Sequence, residues 1–266
     1  MAIKLGCIGC GNMGGAILAG LAAAGGFDLC GNTRTMKRME PLVAAGVRPL
    51  PDAASVVRAS DYVVLAVKPY QIADVVRSVA PSLERNTVLI SIAAGTSLKT
   101  IKDASGGVCP VVRCMPNTPA LVASGVFAFC FEDPMLSEAT KTEILSIFGN
   151  LGLCLELPER QFTPFASLIG AGPAYLFDLM EGMVQAGVAL GFQHADCRRM
   201  VAALFEGCGR MALKDAGTHL MALRDNVCSP AGTTIAGVNH MDANGLAGKL
   251  AQAVFAANDR GREMEN

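Results

Sequence analysis

The stretch "IKLGCIGCGNMGGAILAGLAAAG" close to the N-terminus constrains this chain more than any other. It reads as an apolar strand, a glycine-rich turn and a helix of small residues. Gly9-Cys10-Gly11-Asn12-Met13-Gly14 has GxGxxG spacing in that context. Gly9 allows the tight turn, Gly11 lets backbone approach a pyrophosphate, and Gly14 lets the helix lie close to the sheet with its N-terminus facing the phosphates. The motif predicts a dinucleotide site formed by Ile8, Gly9, Cys10, Gly11, Asn12, Met13 and Gly14. The alternative is a structural glycine turn.

The end of the second strand distinguishes the two nicotinamide dinucleotides. An NAD site usually carries an acid there for the ribose 2′-hydroxyl. In "FDLCGNTRTMKR" the only acid, Asp28, falls at the strand's start, and Asn32-Thr33-Arg34-Thr35 falls at its end. Hydroxyls, an amide and a guanidinium suit a 2′-phosphate, so NADPH is expected ahead of NADH through Asn32, Thr33 and Arg34. Otherwise Arg34 is an ordinary solvated loop charge.

Strand-like runs then alternate with helical ones: "DYVVLAVKP", "TVLISIAAG", "VVRCMPNTP", "GVFAFCF" and "GLCLEL". This pattern predicts an α/β fold with an N-terminal doubly wound, mainly parallel Rossmann sheet. Ala66, Val67, Lys68, Pro69 and Ala93 fall at carboxyl ends of strands, where ligands collect in open sheets. Lys68 stands either beside the cofactor or as a loop lysine, and Asn117 either near the nicotinamide or as a turn cap. Ile144, Ile147, Phe148 and Leu151 recur at helical spacing after Ser137. The expected division is a nucleotide-binding domain over 1–162 and an all-α domain over 163–266.

Composition narrows the function classes. Lys and Arg number 22 against 23 Asp and Glu, which points to neither nucleic acid nor an anionic membrane as partner. Glycines at 6, 9, 11, 14 and 15 break the uncharged N-terminal stretch as a signal peptide, and Asp178 and Glu181 interrupt the apolar run 166–192 as a membrane span. Ten cysteines without a secretory signal fit a reducing, cytoplasmic setting. Cys7 and Cys10 have CxxC spacing, but there is no second CxxC and no HxxxH, so no metal site is expected.

The second half is alanine- and glycine-rich. Ala174 to Leu190 is apolar on nearly every face, as in a deeply buried helix, and about a hundred residues offer little interior to bury it. Helices of a second copy would cover it. Late in this half "CSPAGTTIAG" interrupts the pattern. Ser229 is expected to cap a helix with Pro230 at its first position, leaving Gly232, Thr233 and Thr234 to offer N–H groups and hydroxyls to a small carboxylate. The alternative is a capped turn between helices.

With these residues in view the chain resembles the pyrroline-5-carboxylate reductases from end to end. The resemblance rests on "GCGNMGGAI", "AVKP", "SIAAGTSL", "RCMPNTPALVASGV", "GAGPAYLFDLMEGMVQAGVALGF" and "NVCSPAGTTIAGV". It implies reduction of 1-pyrroline-5-carboxylate to L-proline by NAD(P)H, a helical domain that interlocks in a dimer, and often a ring of dimers. It also implies that Thr234 hydrogen-bonds the imine nitrogen, with Ser229, Ala231, Gly232 and Thr233 around the substrate carboxylate. A threonine hydroxyl titrates far from neutrality, so Thr234 orients rather than protonates.

Three positions depart from the family pattern. Ala171 stands where "GSGPAY" is usual, Ala231 replaces the first glycine of "SPGGTT", and Ala53 stands where Asn is common near the adenosine. Ala231 bears most on activity if that position needs positive φ. Two rival readings remain. β-Hydroxyacid dehydrogenases share the domain order but need a lysine that "GAGPAYLFDLMEG" lacks. A non-catalytic NADP-binding sensor or scaffold would bind nucleotide without turnover.

Overall fold

Side chains on successive strand residues point to opposite faces, so a strand covered on both faces must be apolar at every position. The central strands of this chain are apolar along most of their length, and the computed structural model, which describes residues 2–265, shows why. Eight strands form one sheet: β1 (Ile3–Ile8), β2 (Phe27–Asn32), β3 (Arg48–Pro49), β4 (Tyr62–Leu65), β5 (Val88–Ser91), β6 (Val111–Met115), β7 (Gly125–Cys130) and β8 (Gly152–Glu156). Their order is β3-β2-β1-β4-β5-β6-β7-β8, and only the β6–β7 pair is antiparallel. The order reverses between β2 and β4 about β1. There the C-terminal residue Ile8 pairs with Asn32 on one side and Leu65 on the other.

Helices α1 (Asn12–Ala24), α2 (Glu40–Ala44), α3 (Ala53–Arg58), α4 (Ile72–Val79), α5 (Leu98–Ala104) and α6 (Glu138–Gly149) follow the strands. Leu5 and Cys7 of β1, with Val64 and Ile90, pack with Ile17, Leu18 and Leu21 of α1 and Ile144, Ile147 and Phe148 of α6. Ile8, Val63, Leu65 and Leu89 pack on the other side with residues of α3, α4 and α5. The two-sided core is the doubly wound arrangement that the sequence pattern predicts. Ser137 starts α6 by accepting the Thr140 N–H at 3.1 Å, and Phe148 then meets Phe129 edge-on at 5.1 Å between ring centroids.

Beyond β8 come α7 (Phe162–Phe165), a π-helical turn over Ala166–Gly170 closed by Ala171 N–H to the Ala166 carbonyl at 2.8 Å, α8 (Gly172–Ala189), α9 (His194–Lys214), α10 (Leu220–Asp225), α11 (Thr233–Ala243) and α12 (Leu246–Glu265). The chain divides into two compact units, Met1–Ala171 with Asn258–Asn266 and Gly172–Ala257.

The second unit buries little of its own. Val184, Cys197 and Val201 form its small core, where α8 and α9 approach closely because a Cβ at Gly187 would stand 2.5 Å from Cys197 Sγ. Most of the apolar surface of α8 lies open, including Leu176, Phe177, Met183 and Val188. An exposed apolar surface of this extent marks an association face. Among the described residues no helix is long and apolar enough to cross a membrane, and no cluster of His, Cys, Asp and Glu could hold a metal ion.

Candidate functional site

The first unit contains a cleft of ≈ 750 Å³ at the carboxyl ends of β1, β2, β4 and β5. Such a crevice, at the point where strand order reverses, is where an open parallel sheet binds a dinucleotide. Its floor is the glycine-rich turn. Gly9 has φ +98°, a conformation that side chains rarely adopt, and its N–H reaches the Asn32 carbonyl at 2.9 Å. At Gly14 a Cβ would stand 2.6 Å from the Gly9 carbonyl oxygen and 2.8 Å from Ala66 Cβ, so only glycine lets α1 sit this close to the sheet. Gly11 caps α1 without any side-chain acceptor, which leaves the first N–H groups of the helix for an anion.

The cleft brings together most of the residues singled out from the sequence: Ile8, Gly9, Gly11, Asn12, Met13, Asn32, Thr33, Arg34, Ala66, Val67, Lys68, Pro69 and Ala93. Three others lie elsewhere. Gly14 is behind the turn. Cys10 points into the core, its thiol 3.7 Å from the Cys7 carbonyl. The hydrogen bond between these two thiols lowers the titration of Cys10 and, with burial, pushes Cys7 well above the ordinary thiol range. Asn117 is buried, and both ends of its amide are taken by backbone groups: Oδ1 accepts the Val126 N–H at 2.9 Å and Nδ2 donates to the Ile169 carbonyl at 3.3 Å.

Thr35, read from the sequence at the strand's end, also lines the wall, and sequence reading overlooked Arg38, Gln71 and Ile92 there. Arg38 had a usable signal, since it follows Arg34 by four residues in the same loop. Arg34, Arg38 and Lys68 line the cleft and no acidic residue does, although the chain as a whole is almost neutral. A dinucleotide bearing phosphates fits such a wall.

In the second unit residues 229–234 adopt a shape different from the one expected. Helix α11 begins at Thr233 with Gly232 as its cap, four residues after Ser229, so Ser229 does not cap it and Pro230 is not its first residue. The reason is a β-turn: the Gly232 N–H bonds the Ser229 carbonyl at 3.1 Å, with Pro230 and Ala231 at its centre. Proline followed by a residue of positive φ is the type II pattern, and Ala231 has φ +57° where glycine is the usual occupant. The turn delivers Thr233 and Thr234 onto the first turn of α11, where Gly232 provides no side-chain cap and the leading N–H groups stay open.

Cleft and sheet define a Rossmann-type dinucleotide-binding oxidoreductase. Residues 4–95 match the family described as NADP oxidoreductase, coenzyme F420-dependent, and residues 159–264 match pyrroline-5-carboxylate reductase dimerisation. A pyrroline-5-carboxylate reductase of Glycine max is 34% identical over 98% of this chain and 95% of its own. A solved pyrroline-5-carboxylate reductase from Coxiella burnetii superposes with a TM-score of 0.92 at 30% identity, covering 100% of both chains. A Plasmodium falciparum pyrroline carboxylate reductase solved with NADP bound reaches 0.87 at 28% identity, over 99% of this chain and 98% of that one. The chain belongs to the pyrroline-5-carboxylate reductase family.

Proposed function

We propose that this protein reduces 1-pyrroline-5-carboxylate to L-proline, the last step of proline biosynthesis, with NADPH preferred to NADH. The observation that carries the cofactor reading is the cleft wall, with Arg34, Arg38 and Lys68 as cations and no acid to receive a ribose 2′-hydroxyl. NADPH, when bound, would supply the hydride for the imine carbon, and the ring nitrogen takes its proton from water, so that the C=N bond becomes the C–H and N–H of the amine. The protein's own residues bind and orient. The glycine-rich turn and the start of α1 receive the pyrophosphate through open N–H groups. Arg34, with Asn32 and Thr33, takes the 2′-phosphate by charge-assisted hydrogen bonds.

For the substrate we assign the turn 229–234. Open N–H groups at the start of α11 hold the carboxylate, and the Thr234 hydroxyl bonds the ring nitrogen and fixes the direction from which the imine carbon is reached. A hydroxyl does not release its proton near neutrality, so Thr234 contributes orientation. We assign nucleotide binding to 1–162 and dimerisation with substrate binding to 163–266. The working form is a dimer, with dimers joined in a ring, supported by the open apolar surface of α8. It works in the cytoplasm, where ten thiols stay reduced.

Steady-state rates with each cofactor test the cofactor choice. NADPH is expected to give the higher kcat/KM, and Arg34→Ala to erode that advantage through KM by about ten- to a hundredfold, the worth of one charged hydrogen bond. Equal use of NADH and NADPH by the unaltered protein contradicts it. Thr234→Ala is expected to lower kcat/KM for the imine by about tenfold or more while NADPH still binds normally. A fully active, merely less stable variant would point to a helix cap instead.

A further inference from the structure

Arg38 is the cleft residue with the least obvious reason to be there. It ends a single 3₁₀ turn, Met36–Arg38, closed by Arg38 N–H to the Thr35 carbonyl at 2.9 Å and Met39 N–H to the Met36 carbonyl at 2.8 Å. The next residue, Met39, is fixed in the core between sheet and helices at 2% exposure. That anchor sets where the Arg38 backbone stands, while its side chain is free to leave the surface. It does so toward the glycine-rich turn: Nη1 lies 3.3 Å from the point a Cβ on Gly11 would occupy. Any residue but glycine at 11 would press on the guanidinium.

The side chain therefore crosses the cleft from the end of β2 to the start of α1. Among the described residues no carboxylate lies within ion-pair distance of Arg38 or of Arg34, although the chain offers acids to Arg48, Arg113 and Arg224 elsewhere. Exposed arginines without a partner are ordinary. Two of them four residues apart on one loop, lining an acid-free cleft, with one reaching across it to Gly11, leave two cations open to an anion there. A Rossmann cleft receives the adenosine ribose at the end of β2, where Arg34 and Arg38 both line the wall, so a 2′-phosphate on it would come within reach of both.

We infer that Arg38 is a second specificity-determining residue for the 2′-phosphate of NADPH, closing from the glycine-rich side on the group that Arg34 meets from the strand side. The inference rests on the cofactor reading given above and goes beyond it in assigning the second grip. A planar guanidinium offers two parallel donors to one phosphate, which a lysine ammonium does not, so the charge alone is not equivalent.

Calorimetric titration of the full-length protein with NADP⁺, NAD⁺, 2′,5′-ADP and 5′-AMP tests this without turnover. Arg38→Ala is expected to weaken NADP⁺ and 2′,5′-ADP by about tenfold or more and to leave NAD⁺ and 5′-AMP within about threefold. Arg38→Lys is expected to recover only part of the loss. Equal weakening of all four ligands would show a grip on the pyrophosphate or adenine and overturn the inference, as would an Arg38→Ala variant that still discriminates like the parent. The two readings fail differently. A parent protein that binds NAD⁺ as tightly as NADP⁺ sinks the cofactor choice and this inference together, whereas a discriminating parent with an equally discriminating Arg38→Ala variant sinks this inference alone.

Discussion

The side-chain amide of Asn117 donates to the Ile169 carbonyl at 3.3 Å, tying the loop after β6 to the π-helical turn 52 residues further on. Its oxygen accepts the Val126 N–H at 2.9 Å, so the residue joins three segments of the first unit. Asn117→Ala would leave a partly buried N–H and a carbonyl without partners, at a cost of about 2 kcal/mol. The expected outcome is a melting temperature lower by several degrees and an unchanged NADPH dissociation constant. A large loss of NADPH affinity in a variant that melts normally would place Asn117 at the nicotinamide instead.

Ala231 holds the left-handed conformation, φ +57°, at the centre of the turn closed by Gly232 N–H to the Ser229 carbonyl. A Cβ there costs about 1 kcal/mol relative to glycine. Ala231→Gly is therefore expected to leave stability unchanged or raise it by up to about 1 kcal/mol, the relief being offset by the freer unfolded chain. Ala231→Val is expected to lose stability and kcat/KM for the imine together, because a β-branched residue resists positive φ. Thermal melting and steady-state rates on the three proteins check the order Gly, Ala, Val.

Met183 on α8 is 44% exposed, whereas its neighbour Val184 is inside the small core of the second unit. A charge at Met183 therefore perturbs association without emptying that core. Met183→Asp is expected to shift the protein from dimer or larger assemblies toward monomer in light scattering, with loss of activity. An active Met183→Asp protein of unchanged size would remove α8 from the interface.

Asp133 is almost fully buried and accepts from Lys102 Nζ at 2.7 Å and from the N–H groups of Val111 and Met135, each at 2.9 Å. Burial pushes its carboxyl up, but the lysine and the two N–H groups outweigh burial and bring it below the ordinary aspartate range. A group lowered in the folded state stabilises above its unfolded pKa, and that contribution is lost as pH falls through the folded value. Asp133→Asn is expected to cost about 3 kcal/mol near neutrality by leaving Lys102 uncompensated. Urea unfolding below the ordinary aspartate pKa should then show a smaller gap between the two proteins than at pH 7. A constant gap at every pH would assign the loss to packing.

Much of the fold was legible because burial on both sheet faces demands mostly apolar strands, and β1, β4 and β5 are apolar but for Lys4 at the start of β1 and Ser91 at the end of β5, which is visible without coordinates. The glycine-rich turn was legible because GxGxxG has few other uses between a strand and a helix. Other features carried no such signature. β3 is two residues, Arg48 and Pro49, too short to show a period. The π-helical turn at Ala166–Gly170 differs from α-helix by one residue per bond, and apolar spacing does not report that. "SPAG" was misread because serine before proline suits a helix start and a β-turn equally well, and the hydrogen bond from Gly232 to Ser229 decides for the turn. Asn117 reads from the sequence as either a cofactor contact or a turn cap, because polarity does not say whether a side chain points into a cleft or into the protein. Arg38 follows Arg34 by four residues in the same loop, but that spacing alone does not tell a cleft residue from a solvated charge, and its place beside Gly11 does.

The account's central claim is hydride transfer from NADPH to a cyclic imine, and its most direct test is product labelling. The purified protein is incubated with NADPH deuterated at the transferring position of nicotinamide C4 and with 1-pyrroline-5-carboxylate, and the proline formed is weighed by mass spectrometry. One deuterium in proline, at the former imine carbon, with one NADPH oxidised per proline is the expected result. NADPH that binds tightly yet stays reduced in the presence of the imine, with no proline formed, would contradict the claim and leave a nucleotide-binding protein without this reaction.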